Sequence, residues 1–269
     1  MIFDLHNDFL TKLNKKNLVG YLKNNNQLLS GLCCPIFTTE LKNATNFIKN
    51  SKKMLKKHKN CYLCIEDMSF LESKYKSWIL RIKPLYCGIC WNNSNQFCGG
   101  AYDVGGISKK GKQLIEFLQD NNIIVDCAHM NIYSYNDLLN ITKKPIFCSH
   151  AGFKDIINDK RNLDYYQLKD LVESGGIVGL YFVGKYISNK SATCDDIIKN
   201  IEYFVNKFGV NNLAIGTDFY GTTDLPFDVK NYKQMLKIKQ KLLKIGYKNT
   251  EIVQIFEKNA KMFIKKEID

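Results

Sequence analysis

The chain is 269 residues long, 45% hydrophobic and 12% aromatic, with a formal net charge of +13. That length suits one large domain over residues 1–269, able to bury a full core without staples. No apolar run reaches the roughly eighteen residues a membrane span needs, and no basic segment leads an apolar stretch at the start, so no membrane association or secretion signal is expected and the reading is a cytoplasmic protein.

The positive charge raises nucleic-acid binding, because clustered basic side chains release counterions from phosphates. Arg81 and Arg161 are the only arginines, and the lysines are dispersed, as at Lys52, Lys53, Lys56 and Lys57 or Lys237, Lys239 and Lys241. This is the pattern of a solvated surface, and no nucleic-acid partner is expected. Ten cysteines in a cytoplasmic chain are expected to be reduced. The pairs Cys61/Cys64 and Cys87/Cys90 have loose zinc-site spacing, but both lie in apolar, strand-like runs. An odd spacing sends two thiols to opposite faces of a strand, so these residues, like Cys33 and Cys34, read as small buried hydrophobes.

In chain order, strands are expected at 2–5, 28–37, 61–65, 82–90, 123–127, 145–148, 176–182 and 213–216. Amphipathic helices are expected at 38–57, 108–121, 132–142, 163–174, 193–208, 229–245 and 250–264, the last opened by an N-cap at Asn249 or Thr250. Strands that alternate with helices predict an α/β fold, a parallel sheet closed into a (β/α)8 TIM barrel. An open doubly wound sheet is the alternative, but no glycine-rich phosphate loop follows the first strand.

Polar residues fall at the ends of these strands. His6 and Asp8 follow the first; on an extended backbone positions i and i+2 face the same side, so both can reach one metal ion. Glu66 ends the third strand, His129 follows the fifth, His150 ends the sixth and Asp218 follows the eighth. His58, within a lysine run, reads as a surface residue. Singly, each has a plain explanation: a strand-end histidine bonds the backbone, Asp218 makes a turn, Glu66 starts a helix. Together they would ring the C-terminal mouth of a barrel, where such folds keep their chemistry. Three histidines with Asp8 and Glu66 form a ligand set for two metals, with Glu66 able to bridge.

The pieces His6-Asn-Asp8, Ile65-Glu66, Val125-Asp-Cys-Ala-His129, Phe147-Cys-Ser-His150, Arg161-Asn162, Gly175-Gly-Ile-Val and Gly216-Thr-Asp-Phe occur in order over nearly the whole chain. With the tail Gly246-Tyr-Lys to Asn259, this series resembles the membrane dipeptidase (renal dipeptidase) family of zinc metallopeptidases, among the amidohydrolase-like barrels of metal-dependent hydrolases. The resemblance implies two zinc ions, one bound by His6 and Asp8, the other by His129 and His150, with Glu66 bridging. It further implies that Arg161 holds the substrate's terminal carboxylate and that Asp218 handles the proton. Two zinc ions lower the pKa of a bridging water, and the resulting hydroxide attacks the amide of a small dipeptide. Family members are often homodimers.

Three segments depart from the family pattern. Asp67-Met68 stands where glycines are usual after the bridging glutamate. Trp91-Asn92, as in bacterial relatives, stands where some members carry a substrate-binding histidine, which makes Asn92 a candidate substrate contact. Tyr181-Phe182-Val183 replaces the usual Asn-Phe-Tyr. These changes bear on the substrate pocket rather than the metal ligands, so the alternative expectation is an amidase or deacylase using the same centre on another small amide.

Overall fold

The computed structural model describes residues 1–12, 15–38, 40, 45, 48, 51, 55, 60–71 and 75–268, with the description of 15–19, 75 and 268 confined to the backbone. The expected helix at 38–57 and His58 lie largely or wholly outside the described residues.

Eight parallel strands close into a barrel in sequential order. They are β1 (Ile2–Asp4), β2 (Leu29–Ile36), β3 (Cys61–Ile65), β4 (Tyr86–Gly88), β5 (Ile124–Asp126), β6 (Phe147–Ala151), β7 (Ile177–Leu180) and β8 (Leu213–Ile215). Closure comes where Asp4 of β1 pairs with Ile215 of β8. The described helices are α1 (Phe9–Lys12), α2 (Lys15–Asn25), α3 (Tyr75–Ile82), α4 (Lys109–Asp120), α5 (Ile132–Ile141), α6 (Tyr165–Glu173), α7 (Gly184–Ile187), α8 (Cys194–Phe208), α9 (Leu236–Lys244), α10 (Asn249–Val253) and α11 (Asn259–Ile268). This is the (β/α)8 barrel expected from the alternation. Among the described residues no helix is long and apolar enough to cross a membrane.

Strand alternation sorts the core into two layers. Phe3, Leu5, Cys33, Cys64, Tyr86, Phe147 and Ala214 fill the barrel interior. Cys34, Ile36, Ile65, Cys87, Val125 and Cys148 face the helices. Helix α11 plugs the end of the barrel opposite the mouth, where Phe263 stacks on Phe147 with ring centroids 5.6 Å apart. All ten cysteines are free thiols. Cys61 and Cys64 do fall on opposite faces of β3, in the outer and inner layers. Cys87 and Cys90 do not, because β4 ends at Gly88; both pack in the outer layer, with Cys90 Sγ donating to Gly99 O at 3.6 Å. Among the described residues, no cysteine belongs to a group placed to hold a metal.

Several boundaries differ from expectation for identifiable reasons. Ile82 closes α3 instead of opening a strand: Trp78, Ile79 and Ile82 are buried along one helical stripe, and Lys83, at φ 47° before Pro84, breaks the chain out of the helix. Helix α4 runs between a Ser108 cap and Asn121, and α6 opens with an Asp164–Gln167 capping box, both close to the expected limits. The expected helix at 229–245 shortens to α9. The last helix is interrupted by a π turn over Gln254–Lys258, and its entry is capped at Lys248, whose N–H donates to Glu251 Oε2 at 2.8 Å. The π turn carries Asn259 inward, where its Nδ2 donates to Val210 O at 2.6 Å and Leu213 O at 2.7 Å, satisfying carbonyls beside β8. Helices α1, α2, α3 and α7 carry no sequence expectation.

Candidate metal centre

Asp4 at the end of β1 organises the floor of the mouth. Its carboxylate accepts from His6 N–H at 3.2 Å, Thr217 N–H at 2.8 Å and the Thr217 hydroxyl at 2.6 Å, and also from Tyr232 OH. The segment after β1 is thereby laced to the segment after β8, and Asp218 N–H donates to His6 O at 3.0 Å. Two residues of the mouth sit in left-handed backbone, His129 at φ 70° and Asp218 at φ 60°. Such conformations cost energy for residues other than glycine and collect at functional sites. Gly221 lets the Asp218 turn close: a Cβ there would lie 2.0 Å from Asp218 Oδ1 and 2.5 Å from Asp8 Oδ2.

The expected residues converge. His6 Nε2 is 3.3 Å from Asp8 Oδ2 and 3.8 Å from Glu66 Oε1. His129 Nε2 is 3.1 Å from the same Glu66 oxygen and 2.9 Å from His150 Nε2. Two three-residue groups have atoms close enough to share a cation, Glu66–His129–His150 and His6–Asp8–Asp218; a third joins His6, Asp126 and His150. Asp8, Glu66, Asn92, His129, Arg161 and Asp218 line one open cavity of about 700 Å³, and His6 and His150 lie buried beneath it.

Residues around the histidines settle how each ring is turned. Tyr86 OH donates to Leu5 O at 3.1 Å, so it accepts from His6 Nδ1 at 2.9 Å. Ser149 gives its hydroxyl proton to Asp126 Oδ2, so it accepts from His150 Nδ1 at 2.8 Å. Asn92 Oδ1 accepts from His129 Nδ1 at 2.8 Å. All three rings therefore donate from Nδ1 and turn Nε2 toward the same small volume. Tyr86, Asp126 and Ser149 carry no assigned role in the sequence reading, although Asp126 and Ser149 stand inside the quoted motifs. Asn92, expected to contact substrate, has its oxygen engaged by His129.

The electrostatics describe a site short of positive charge. His6 Nε2 and both carboxylate oxygens of Asp8 are buried without a hydrogen-bond partner among the described residues. Burial pulls the His6 pKa down, but the carboxylates of Asp8, Glu66 and Asp218 overcome it and push the ring up to about 10. Burial and the neighbouring Asp8 carboxylate raise Asp218 to about 8 and Glu66 well above the usual range. Burial first, with Arg161 and His6 adding like-charge repulsion, holds His129 and His150 well below the ordinary imidazole value. Divalent cations would relieve these strains together: they accept the Nε2 lone pairs and neutralise the carboxylates. The donor set, imidazole and carboxylate, fits zinc or a similar borderline ion.

Arg161 is 5% exposed, and its Nη2 reaches within 3.3 Å of His129 Nε2. No carboxylate pairs with the guanidinium among the described residues. Its backbone is set by Asp159, whose Oδ1 accepts from Arg161 N–H at 2.8 Å, and by Asn162, whose Nδ2 donates to Ile157 O at 2.8 Å and Tyr186 O at 2.9 Å. Of the three departing segments, Asp67 turns away from the mouth to accept from Ser69 N–H and its hydroxyl, both at 2.8 Å. Trp91, Tyr181 and Val183 line the cavity.

Among solved structures, the chain is similar to an amidohydrolase from Pseudomonas aeruginosa (TM-score 0.88, 17% identity, 99% of this chain and 96% of that one). It is also similar to a metallopeptidase from Rhodobacter sphaeroides bound to a phosphinate mimic of the dipeptide L-Ala-D-Ala (TM-score 0.85, 15% identity, 98% of each chain). At these identities the likeness is one of fold. An uncharacterized dipeptidase of Schizosaccharomyces pombe is 25% identical over 182 residues, covering 65% of this chain and 44% of that protein, less than half its length. The family model described as membrane dipeptidase (peptidase family M19) matches residues 36–267, a span that contains Glu66, His129, His150, Arg161 and Asp218 and leaves His6 and Asp8 before it. On that match the chain belongs to the membrane dipeptidase family, peptidase family M19, and is a metal-dependent hydrolase.

Proposed function

We propose that the chain is a dinuclear zinc dipeptidase that hydrolyses small dipeptides with a free terminal carboxylate. The observation that carries this reading is the convergence of three imidazole Nε2 atoms on Asp8 and Glu66, with His6 Nε2 and the Asp8 oxygens buried and unpartnered. His6 and Asp8 would hold one ion, His129 and His150 the other, with Glu66 shared. When bound, two such ions supply Lewis acidity that makes a water nucleophilic near neutral pH and polarises the amide carbonyl.

The chain's own residues do the rest. Asp218 sits half-buried at the cavity edge beside Asp8, a carboxylate placed to act as base and then as acid. It takes the proton from the attacking water and delivers it to the leaving amine. Arg161, buried without a carboxylate partner of its own, receives the substrate's planar terminal carboxylate in a two-point contact. Asn92, Ser149 and Tyr86 keep the three rings turned with Nε2 inward. A second reading, an amidase or deacylase acting on another small amide, draws support from Trp91 and Val183, which give the cavity a lining of its own.

Elemental analysis of the purified protein, paired with hydrolysis of Ala-Ala, tests the proposal. About two zinc ions per chain with dipeptide cleavage support it. Two ions with cleavage of other small amides alone would favour the second reading, and a metal-free protein that cannot be loaded would overturn both.

A further inference from the structure

Trp91 stands at the mouth in a way that core packing does not require. Its side chain lines the cavity, and the residue keeps 37% of its surface exposed. The chain's other tryptophan, Trp78, shows the usual arrangement: it is 7% exposed, packs edge-on to Phe70 at 5.4 Å, and donates its indole N–H to Thr45 Oγ1. The Trp91 indole N–H has no partner among the described residues. Its ring neighbours two others, Phe37 at 5.2 Å between centroids and His129 at 5.9 Å. Phe37 also lines the cavity. Two neighbouring aromatic rings lining one open cavity beside a candidate metal ligand expose apolar surface that water solvates poorly.

The backbone holds Trp91 in place. Tyr102 N–H donates to Asn92 O at 2.9 Å, and Gly100 approaches the Trp91 carbonyl so closely that a Cβ would lie 2.5 Å from its oxygen. A large, rigid aromatic fixed at the edge of a concave site is the usual form of a recognition anchor.

We infer that Trp91 and Phe37 form a side-chain subsite that selects dipeptides bearing an aromatic residue. The inference rests on the dipeptidase reading and names the substrate class for the same cavity. An aromatic side chain that stacks on the indole removes apolar surface of both rings from water and adds the offset or edge-on contact such rings favour. Arg161 would hold the carboxylate while the indole holds the side chain, both anchors lying beside His129.

The test compares kcat/KM of the zinc-loaded enzyme for Phe-Ala, Ala-Phe and Ala-Ala. At least one aromatic dipeptide should exceed Ala-Ala by about tenfold or more. Trp91→Ala should bring that ratio close to one, and Trp91→Phe should restore part of it. If Trp91 merely braces His129, the variants lower all three substrates by one factor and the ratio stays, which overturns the inference. Equal kcat/KM for all three in the wild type overturns it as well, with dipeptidase activity intact.

Failure to cleave any dipeptide would count against the functional reading, and tryptophan fluorescence then judges the subsite alone. Phenylalanine should change the emission saturably in the wild type and not in Trp91→Phe, whose remaining tryptophan is the buried Trp78. An unchanged wild-type signal would sink the subsite.

Discussion

The Nε2 atoms of His129 and His150 face each other at 2.9 Å, while Asn92 and Ser149 hold the proton of each ring on Nδ1. Two lone pairs at that distance repel unless something positive lies beside both. Burial first, with like-charge repulsion from groups that include Arg161, 3.3 Å from His129 Nε2, lowers the pKa of both rings. A proton is therefore a poor occupant on this side of the site, whereas a divalent ion could take both lone pairs and the Glu66 carboxylate at once. Replacing His150 by Ala should lower metal content by about one ion per chain, since Glu66 and His129 alone make an incomplete set. Elemental analysis of the dialysed variant reads this directly; full occupancy would remove His150 from the ligand set.

The partners behind the rings give a second prediction. Asp126 accepts from Ser149 N–H at 2.9 Å, Ala128 N–H at 3.0 Å and the Ser149 hydroxyl, and through that hydroxyl it fixes His150. Ser149→Ala or Asp126→Asn should weaken metal binding by about ten- to a hundredfold while the fold persists. Competition with a metal-sensing dye measures the affinity, and circular dichroism checks the fold. An affinity equal to wild type in both variants would make this chain of bonds structural only.

These partners show where reading the sequence reached and where it stopped. The barrel was legible because most strands are short apolar runs that alternate with helices, and β3 at Cys61–Ile65 matches its expected span. The ligand candidates were legible because histidines and carboxylates at strand ends break that apolar pattern. The supporting residues were not. Ser149 and Asp126 look like ordinary strand-end polar residues until the pairing of β5 with β6 puts one beside the other. Ile82 read as strand because an apolar run carries no mark of period over a few residues; the helix appears only when Trp78, Ile79 and Ile82 are seen on one face. Helix α2, rich in lysine and asparagine, lacks a strong apolar stripe. The π turn before Asn259 answers two unsatisfied carbonyls far away in sequence, which no local pattern announces.

Asp218 separates chemistry from metal retention. Asp218→Asn should keep both metals and lower kcat by about 10²–10⁴, because proton delivery is lost while the proposed ligands stay. Metal analysis together with kcat distinguishes the outcomes. Near-full activity would show that another group carries the proton, and loss of one ion would place Asp218 in the metal shell with His6 and Asp8, its neighbours in the structure.

Arg161 predicts a change in binding more than in turnover. Its guanidinium is buried and free of any carboxylate among the described residues. Arg161→Ala should raise KM for dipeptides by about ten- to a hundredfold, with a smaller effect on substrates whose terminus is amidated. Arg161→Lys keeps the charge and loses the fork, so it should recover only part of the difference. Equal losses on free and amidated substrates would mean that Arg161 acts through His129 and not through the substrate's carboxylate.

Metal binding should offset a loss of stability that the metal-free protein suffers as pH rises. In the metal-free protein His6 is raised to about 10 from an ordinary 6.5, and Asp218 to about 8 from 3.8. The folded state thus holds protons that the unfolded chain has released, and stability falls as pH rises through those values. His129 and His150 shift the other way, but their contribution is complete once the unfolded imidazoles are neutral, near 6.5. Above pH 7 the balance belongs to His6 and Asp218, so Tm with chelator present should drop from pH 7 to pH 9. A cation replaces those protons, so zinc binds more tightly as pH rises and its gain in Tm should grow over the same range. Thermal unfolding at pH 7, 8 and 9, with chelator and with zinc, decides the matter. A chelated protein that grows more stable with pH, or a zinc increment that shrinks, would show that the carboxylates around His6 do not hold a proton in place of the metal.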